Sequence, residues 1–170
     1  MAPLLEAMDL AAARGLRLPI VYNSGGYDSV ETLSLLDGVV DVYMPDAKYG
    51  TNGLGERLSG APAYEAVNRA ALVAMHAQVG ELELDEGGLA VRGLLVRHLV
   101  LPDLAESTDG VLRFLAERIS PRTFVNVMAQ YHPCYRAEEY PGLGRPLRRD
   151  EHQRAVDTAR RIGLRRVYGG

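Results

Sequence analysis

Runs of apolar, mostly β-branched residues alternate with segments of helical spacing along almost all of this 170-residue chain. Each run has the length of a buried strand, and the segments between them carry apolar residues at the spacing of one helix face. Strands that alternate with helices are typical of a parallel sheet with helical crossovers. The predicted strands are 18–22, 39–43, 93–102, 123–128 and 164–168, and the predicted helices are 4–13, 30–36, 65–79, 107–119 and 147–162.

Residues suited to chemistry follow the ends of these strands, as in a (β/α) barrel with its site at the carboxyl face. Closing such a barrel takes about eight strands and about 200 residues or more, so four or five strands are too few. The sequence therefore predicts an α/β fold in which residues 1–170 form a single domain, the second half of a partial (β/α) TIM-like barrel. The strand Leu18–Tyr22 would be its exposed edge.

The composition favours a cytoplasmic protein. The formal net charge of −3 does not indicate a large nucleic-acid-binding surface. No apolar run is long enough to span a bilayer, and residues 1–6 lack the basic flank and apolar core of a signal peptide. The single cysteine, Cys134, excludes an internal disulfide. We therefore expect a cytoplasmic location and no binding to nucleic acid or membranes.

The second predicted strand leads into Met44–Lys48, whose charged residues should lie just past the carboxyl end of the sheet. Ligands bind at that edge in α/β folds. Lys48 is the only lysine in a chain that otherwise uses arginine, which indicates a site that needs a compact ammonium group. Arg97 lies inside the apolar third strand, where a buried guanidinium requires a carboxylate from the protein or from a ligand.

The first strand leads into Ser24–Ser29, in which adjacent glycines stand between a strand and a helix. Glycines let the backbone approach a ligand closely, and a helix N-terminus favours an anion. This loop resembles the Ser-Gly-Gly-x-Asp-Ser loop of ATP pyrophosphatases, whose backbone amides would cradle pyrophosphate. That likeness provides one alternative function, a nucleotide-binding protein of the ATP pyrophosphatase type, but it explains a single loop.

Four short motifs, taken in their order and spacing, are similar to a different family. The chain resembles the C-terminal half of radical S-adenosylmethionine (SAM) enzymes, and most closely the proteins related to the pyruvate formate-lyase activating enzyme. The likeness extends from Leu18 to about Ile162. The motifs are Val21–Tyr27, Asp41–Tyr49, Arg92–Pro102 and Asn126–Cys134.

The resemblance implies a barrel that holds SAM against a [4Fe-4S] cluster, whose electron splits SAM to give a hydrogen-abstracting 5′-deoxyadenosyl radical. It implies SAM-binding positions and no catalytic side chain. The carboxylate and ammonium of SAM call for one fixed cation and one fixed anion. By this resemblance Asn23 and Ser24 would lie beside the SAM carboxylate, Asp46 and Lys48 around the methionine moiety and an associated cation, Arg97 against the carboxylate and His132 near the ribose or adenine.

Two features of the family are absent from these 170 residues. Cys134 alone cannot form the Cys-x3-Cys-x2-Cys loop that holds the cluster, and the Gly-Gly-Glu stretch that binds the SAM ammonium is missing. The resemblance therefore implies a missing N-terminal part that supplies the cluster, and a chain that is inactive alone. The implied partners are that complementary half or a protein substrate carrying a glycyl radical, and a homodimer could form through the exposed edge.

Two further alternatives stay open. Lys48 at a strand end could be the nucleophile of a Schiff-base aldolase, although no substrate-phosphate loop is evident. The chain could also be a non-catalytic half-barrel that binds a ligand or a complementary subunit. Borohydride trapping of a carbonyl compound on Lys48 would support the first alternative, and a stable complex that hides the edge strand would support the second.

Overall fold

The chain folds into one sheet with helices between its strands, and the computed structural model describes residues 2–51 and 53–169. The strands are β1 (Val21–Ser24), β2 (Val42–Pro45), β3 (Glu83–Leu84), β4 (Ala90–Leu99), β5 (Phe124–Met128) and β6 (Arg166–Tyr168). The helices are α1 (Ala2–Ala13), α2 (Val30–Ser34), α3 (Leu54–Ser59), α4 (Tyr64–Val79), α5 (Ala105–Phe114) and α6 (Arg149–Ile162). A π-helical turn at Leu115–Ile119 extends α5, and a 3-10 turn lies at Ala137–Glu139.

The predicted α/β class is confirmed. Five parallel strands lie in the order β1-β2-β4-β5-β6, and β3 pairs with β4 in the antiparallel sense. β1 lies at one edge of the sheet, as predicted. Across the described ranges, no helix has both the length and the apolar character that a membrane crossing requires. Met1, part of the segment predicted to lack a signal peptide, lies outside the described residues.

The bounds predicted for the first three strands are wrong by two to three residues. Val39 and Val40 donate backbone hydrogen bonds to the carbonyl of Leu36, so these β-branched residues complete the turn after α2 rather than entering the sheet. The Asp41 carboxylate accepts a hydrogen bond at 2.7 Å from the backbone N–H of Ile20, which is the residue before β1. The observed strands are 21–24 instead of 18–22, 42–45 instead of 39–43, and 90–99 instead of 93–102.

The cap predicted for α5 at residues 107–109 is also wrong, because the helix begins at Ala105. The Ser107 hydroxyl accepts a hydrogen bond from the backbone N–H of Gly50 at 2.9 Å. The Thr108 hydroxyl lies 3.0 Å from Nε2 of His98. Both hydroxyl groups therefore join α5 to other elements instead of capping it.

The two faces of the sheet have different environments. Successive strand residues point to opposite faces, and paired residues of parallel strands share a face. One face packs against the helices and contributes Tyr43, Leu94, Val96, Val125 and Val127 to the main hydrophobic core. The register assigns half-buried residues to the opposite face, among them Met44, Leu95, Arg97, Leu99, Asn126 and Met128. The candidate site lies where β2 and β4 end on this second face.

Candidate functional site

A carboxylate flanked by two cations lies at the carboxyl ends of β2 and β4. Nη2 of Arg97 is 2.6 Å from Oδ1 of Asp46, and Nζ of Lys48 is 3.2 Å from Oδ2 of the same carboxylate. We call Asp46, Lys48 and Arg97 the charged trio. It carries one net positive charge, and its carboxylate is only 13% exposed, so solvent screens the trio less than a surface ion pair.

The trio is assembled by the pairing of two strands that are distant in sequence. Asp46 is bridged to Arg97 in the parallel sense just beyond β2, and the N–H of Ala47 donates to the carbonyl of Arg97 at 2.8 Å. In extended chain, Lys48 lies two residues from Asp46 and so returns to the same side. The carboxylate that Arg97 was predicted to need is therefore supplied by the protein itself.

The trio keeps hydrogen-bonding capacity that the described residues do not use. Nε of Arg97 is buried and has no hydrogen-bond partner within residues 2–51 and 53–169. Oδ1 of Asp46 also lacks a partner with hydrogen-bond geometry there, although it lies in close contact with Nη2 of Arg97. A buried guanidinium N–H without a partner is unfavourable, so an additional acceptor would stabilise this arrangement.

Two residues of α4 hold the backbone of the trio in place. Nδ2 of Asn68 donates to the carbonyls of Gly26 and Asp46 at 2.8 and 2.9 Å. The phenol oxygen of Tyr64 accepts a hydrogen bond from the N–H of Lys48 at 3.1 Å. Burial is the main cause that raises the pKa of Tyr64, so the phenol stays neutral. The sequence predicts neither residue as part of the site, because Asn68 is one polar residue within the predicted helix 65–79 and Tyr64 lies just before that helix.

His98 holds Ala47, the residue between Asp46 and Lys48, from the core side of the sheet. Its Nδ1 lies 2.7 Å from the carbonyl of Ala47, and its Nε2 lies 3.0 Å from the Thr108 hydroxyl. A carbonyl only accepts, so Nδ1 carries the proton and Nε2 accepts from Thr108. The side chain is fully buried, and burial lowers its pKa. Arg97 lies on the opposite face of β4, because neighbouring strand residues alternate between the two faces.

The other predicted positions in the first loop do not join the trio through their side chains. The register places Asn23 on the same face as Met44, where it is exposed. The Ser24 hydroxyl donates to Oδ2 of Asp28 at 2.7 Å and accepts from the N–H of Gly26 at 3.2 Å. The side chains of Ser24 and Asp28 are thus hydrogen-bonded to each other. The helix that follows them, α2, has five residues.

A cavity of about 680 Å³ opens beside the trio, and it is lined by both Lys48 and His132. His132 is itself exposed, in the loop that follows β5. We call this space the tyrosine cavity, because four tyrosines line it: Tyr49, Tyr131, Tyr135 and Tyr140. The structure therefore brings three predicted residues into direct contact and a fourth, His132, to the same cavity.

The residues of this chain do not fit an iron–sulfur cluster. Within the described ranges, no three or more His, Cys, Asp or Glu side chains are grouped so that they could hold a metal ion. The sequence contains a single cysteine, Cys134, which is exposed. Clusters of this kind are held mainly by several thiolates, and this chain provides only one.

One curated relative is similar to most of this chain. An uncharacterized protein of Methanocaldococcus jannaschii is 35% identical over 153 residues, which cover 89% of this chain and 40% of the relative. The chain thus spans less than half the length of that relative. No family model matches the chain, and no solved structure does.

Proposed function

We propose that this chain is the SAM- and substrate-binding half of a radical SAM protein of the pyruvate formate-lyase activating type, built as a partial (β/α) barrel. The observation that carries the proposal is the charged trio at the carboxyl edge of a parallel sheet. The four motifs that resemble this family support it, because two of them supply the trio.

The trio suits the amino-acid end of SAM. Its net positive charge and the unused Nε of Arg97 favour a carboxylate, which would lie against Arg97 and Lys48. Asp46 would hold the two cations together at this edge, and the ammonium group of SAM would be bound by the Gly-Gly-Glu stretch of the complementary half. Asn68 and Tyr64 would keep this arrangement rigid by holding the backbone of residues 46–48.

The chemistry of such a protein would be supplied by a [4Fe-4S] cluster, and the residues of this chain do not hold one. The role we assign to the chain is therefore to bind and orient SAM and its co-substrate. The cluster ligands would come from a complementary N-terminal half, so the isolated chain should bind SAM without turning it over.

Replacing single members of the trio tests this proposal. We expect Arg97→Gln and Lys48→Met each to weaken SAM binding by about tenfold or more, since each removes a charge-assisted hydrogen bond. Isothermal titration calorimetry with the whole chain measures the dissociation constant. Arg113→Gln is the matched control, because Arg113 pairs with Asp109 on the exposed side of α5.

Titrations with ATP separate this proposal from the nucleotide-binding alternative. Unchanged SAM affinity in both trio variants would overturn the SAM site. If ATP binds where SAM does not, and a Ser24→Ala, Asp28→Asn double variant abolishes ATP binding, the ATP pyrophosphatase interpretation replaces ours.

A further inference from the structure

The tyrosine cavity extends well beyond the charged trio, between the end of the sheet and the loop that follows β5. Residues of α3 and of the 131–143 loop line it. Just beyond this loop, Nη2 of Arg145 lies 2.8 Å from Oδ1 of Asp103 and from Oε1 of Glu151. These ion pairs tie the chain that follows the loop to α6 and to the segment before α5.

Three of the four tyrosine hydroxyls are already hydrogen-bonded within the protein. The Tyr49 hydroxyl lies 2.7 Å from Oγ of Ser59, and the Tyr131 hydroxyl donates to the carbonyl of Leu143 at 2.7 Å. The Tyr140 hydroxyl donates to the carbonyl of Arg57 at 2.9 Å, which links the 131–143 loop to α3. Because these three hydroxyls are already hydrogen-bonded, the surface that these tyrosines have left for a ligand is the apolar and stacking surface of their rings.

The charged groups that line the cavity are mainly cations. Lys48, Arg57 and Arg136 line it, against one carboxylate, Glu56. Lys48 is paired with Asp46, and Arg136 with Glu139. Among the described residues Arg57 forms no ion pair within 4 Å, so its guanidinium is the cation best able to bind a ligand's anionic group.

We propose that the tyrosine cavity binds a small organic acid with a flat aromatic body, its ring against the tyrosines and its carboxylate on Arg57. Its role as the co-substrate next to SAM rests on the proposed function, and it departs from the resemblance by giving the cavity that His132 lines to the co-substrate rather than to the ribose or adenine of SAM. Its binding does not, and it can be measured without SAM.

The only thiol of the chain reports on this cavity. Cys134 is exposed and lines the space, so a bound ligand should slow its reaction with a thiol reagent. We would measure the reaction of the whole chain with N-ethylmaleimide, an uncharged and non-aromatic thiol reagent, at increasing indole-3-acetate, and with indole-3-acetamide as an uncharged probe of the same shape. We expect the acid to slow the reaction at least fivefold at saturation, and the amide to need about ten times the concentration.

Variants assign the effect to Arg57. Arg57→Gln should raise the half-protecting concentration of the acid about tenfold and leave that of the amide unchanged, whereas Arg113→Gln should change neither. Absence of protection in the wild-type chain, or equal protection by acid and amide, would overturn the inference. So would protection by the acid that Arg57→Gln leaves intact.

Repeating the measurement with saturating SAM keeps the two proposals distinguishable. SAM binding with no protection by the acid would refute only the cavity ligand, and protection without SAM binding would refute only the SAM site. If SAM competes with the acid, the cavity belongs to SAM itself and the inference fails. If both bind together, a separate co-substrate site is supported.

Discussion

Asp46 has two functions in the site, and both depend on its place between elements. Its carboxylate lies close to Lys48 and Arg97, and its backbone carbonyl accepts from Asn68. Without the carboxylate, two like charges would face each other at the sheet edge, which disfavours the charged form of each. Asp46 therefore keeps two cations together where an anionic ligand can reach them.

His98 should make the stability of the chain sensitive to mild acid. Burial lowers its pKa in the folded state, while an unfolded histidine titrates near its ordinary value of about 6.5. As the pH falls below that value, the unfolded chain binds a proton at His98 that the folded chain does not bind. The free energy of unfolding is therefore undiminished above about pH 6.5 and decreases as the pH falls towards the lowered pKa.

Urea unfolding at pH 7.5 and 5.5 measures this effect. His98→Gln should lower the free energy of unfolding at pH 7.5 by about 2 kcal/mol, because it disturbs two buried hydrogen bonds. The variant should also lose less stability between the two pH values than the wild-type chain. An equal loss in both proteins would show that His98 is not the responsible group.

At the residue scale, the sequence predicts the trio but not its supports. Strand-end position and a charge inside an apolar run are local signals, and these identified Asp46, Lys48 and Arg97. Asn68 lies 22 residues from Asp46 on another element, and nothing in its neighbours distinguishes it from an ordinary polar helix residue. Its role depends on tertiary contact, which a single sequence does not display.

One glycine, Gly26, allows the loop between β1 and α2 to pack directly against the end of β2. Gly26 has a φ of +72°, and a Cβ there would collide with the Asp46 carbonyl and the Asn68 amide. We expect Gly26→Ala to weaken SAM binding at least fivefold and to lower the unfolding temperature by about 5 °C. Isothermal titration calorimetry measures the SAM affinity, and differential scanning calorimetry measures the unfolding temperature.

Gly25 is the matched control for that loop, because a Cβ at Gly25 would meet nothing within 4 Å. Gly25→Ala should therefore leave SAM affinity and unfolding temperature close to those of the wild-type chain. Similar losses in the two variants would mean that loop flexibility, and not contact with the trio, determines the result.

At the element scale, the order of helices and strands was predictable and several bounds were not. Hydrophobic periodicity identifies an element, but hydrogen bonds decide where it begins. Val39 and Val40 have strand-like side chains, yet their N–H groups complete the turn that follows α2. Ser107 and Thr108 are typical cap residues that instead bond to Gly50 and His98.

The β1 edge of the sheet exposes apolar side chains. Val21, in β1, is 51% exposed, and Leu18, three residues before it, is 74% exposed. An unpaired strand edge with apolar neighbours favours association with another chain, so we expect self-association that grows with protein concentration in sedimentation velocity. Val21→Lys should reduce it. Leu89→Lys, at a 69% exposed leucine in the turn between β3 and β4, should not, and equal reduction by both would argue against the edge.

Because successive side chains of β4 point to opposite faces of the sheet, its residues are subject to two different constraints. Leu94, Val96 and His98 face the helices and are buried, so a substitution at any of them would change the stability of the whole chain. Leu95, Arg97 and Leu99 face the other way and can diverge with the molecule that is bound, at little cost to the core. A lineage could thus acquire a new ligand by substituting every second residue, while the intervening residues preserve the fold it inherited.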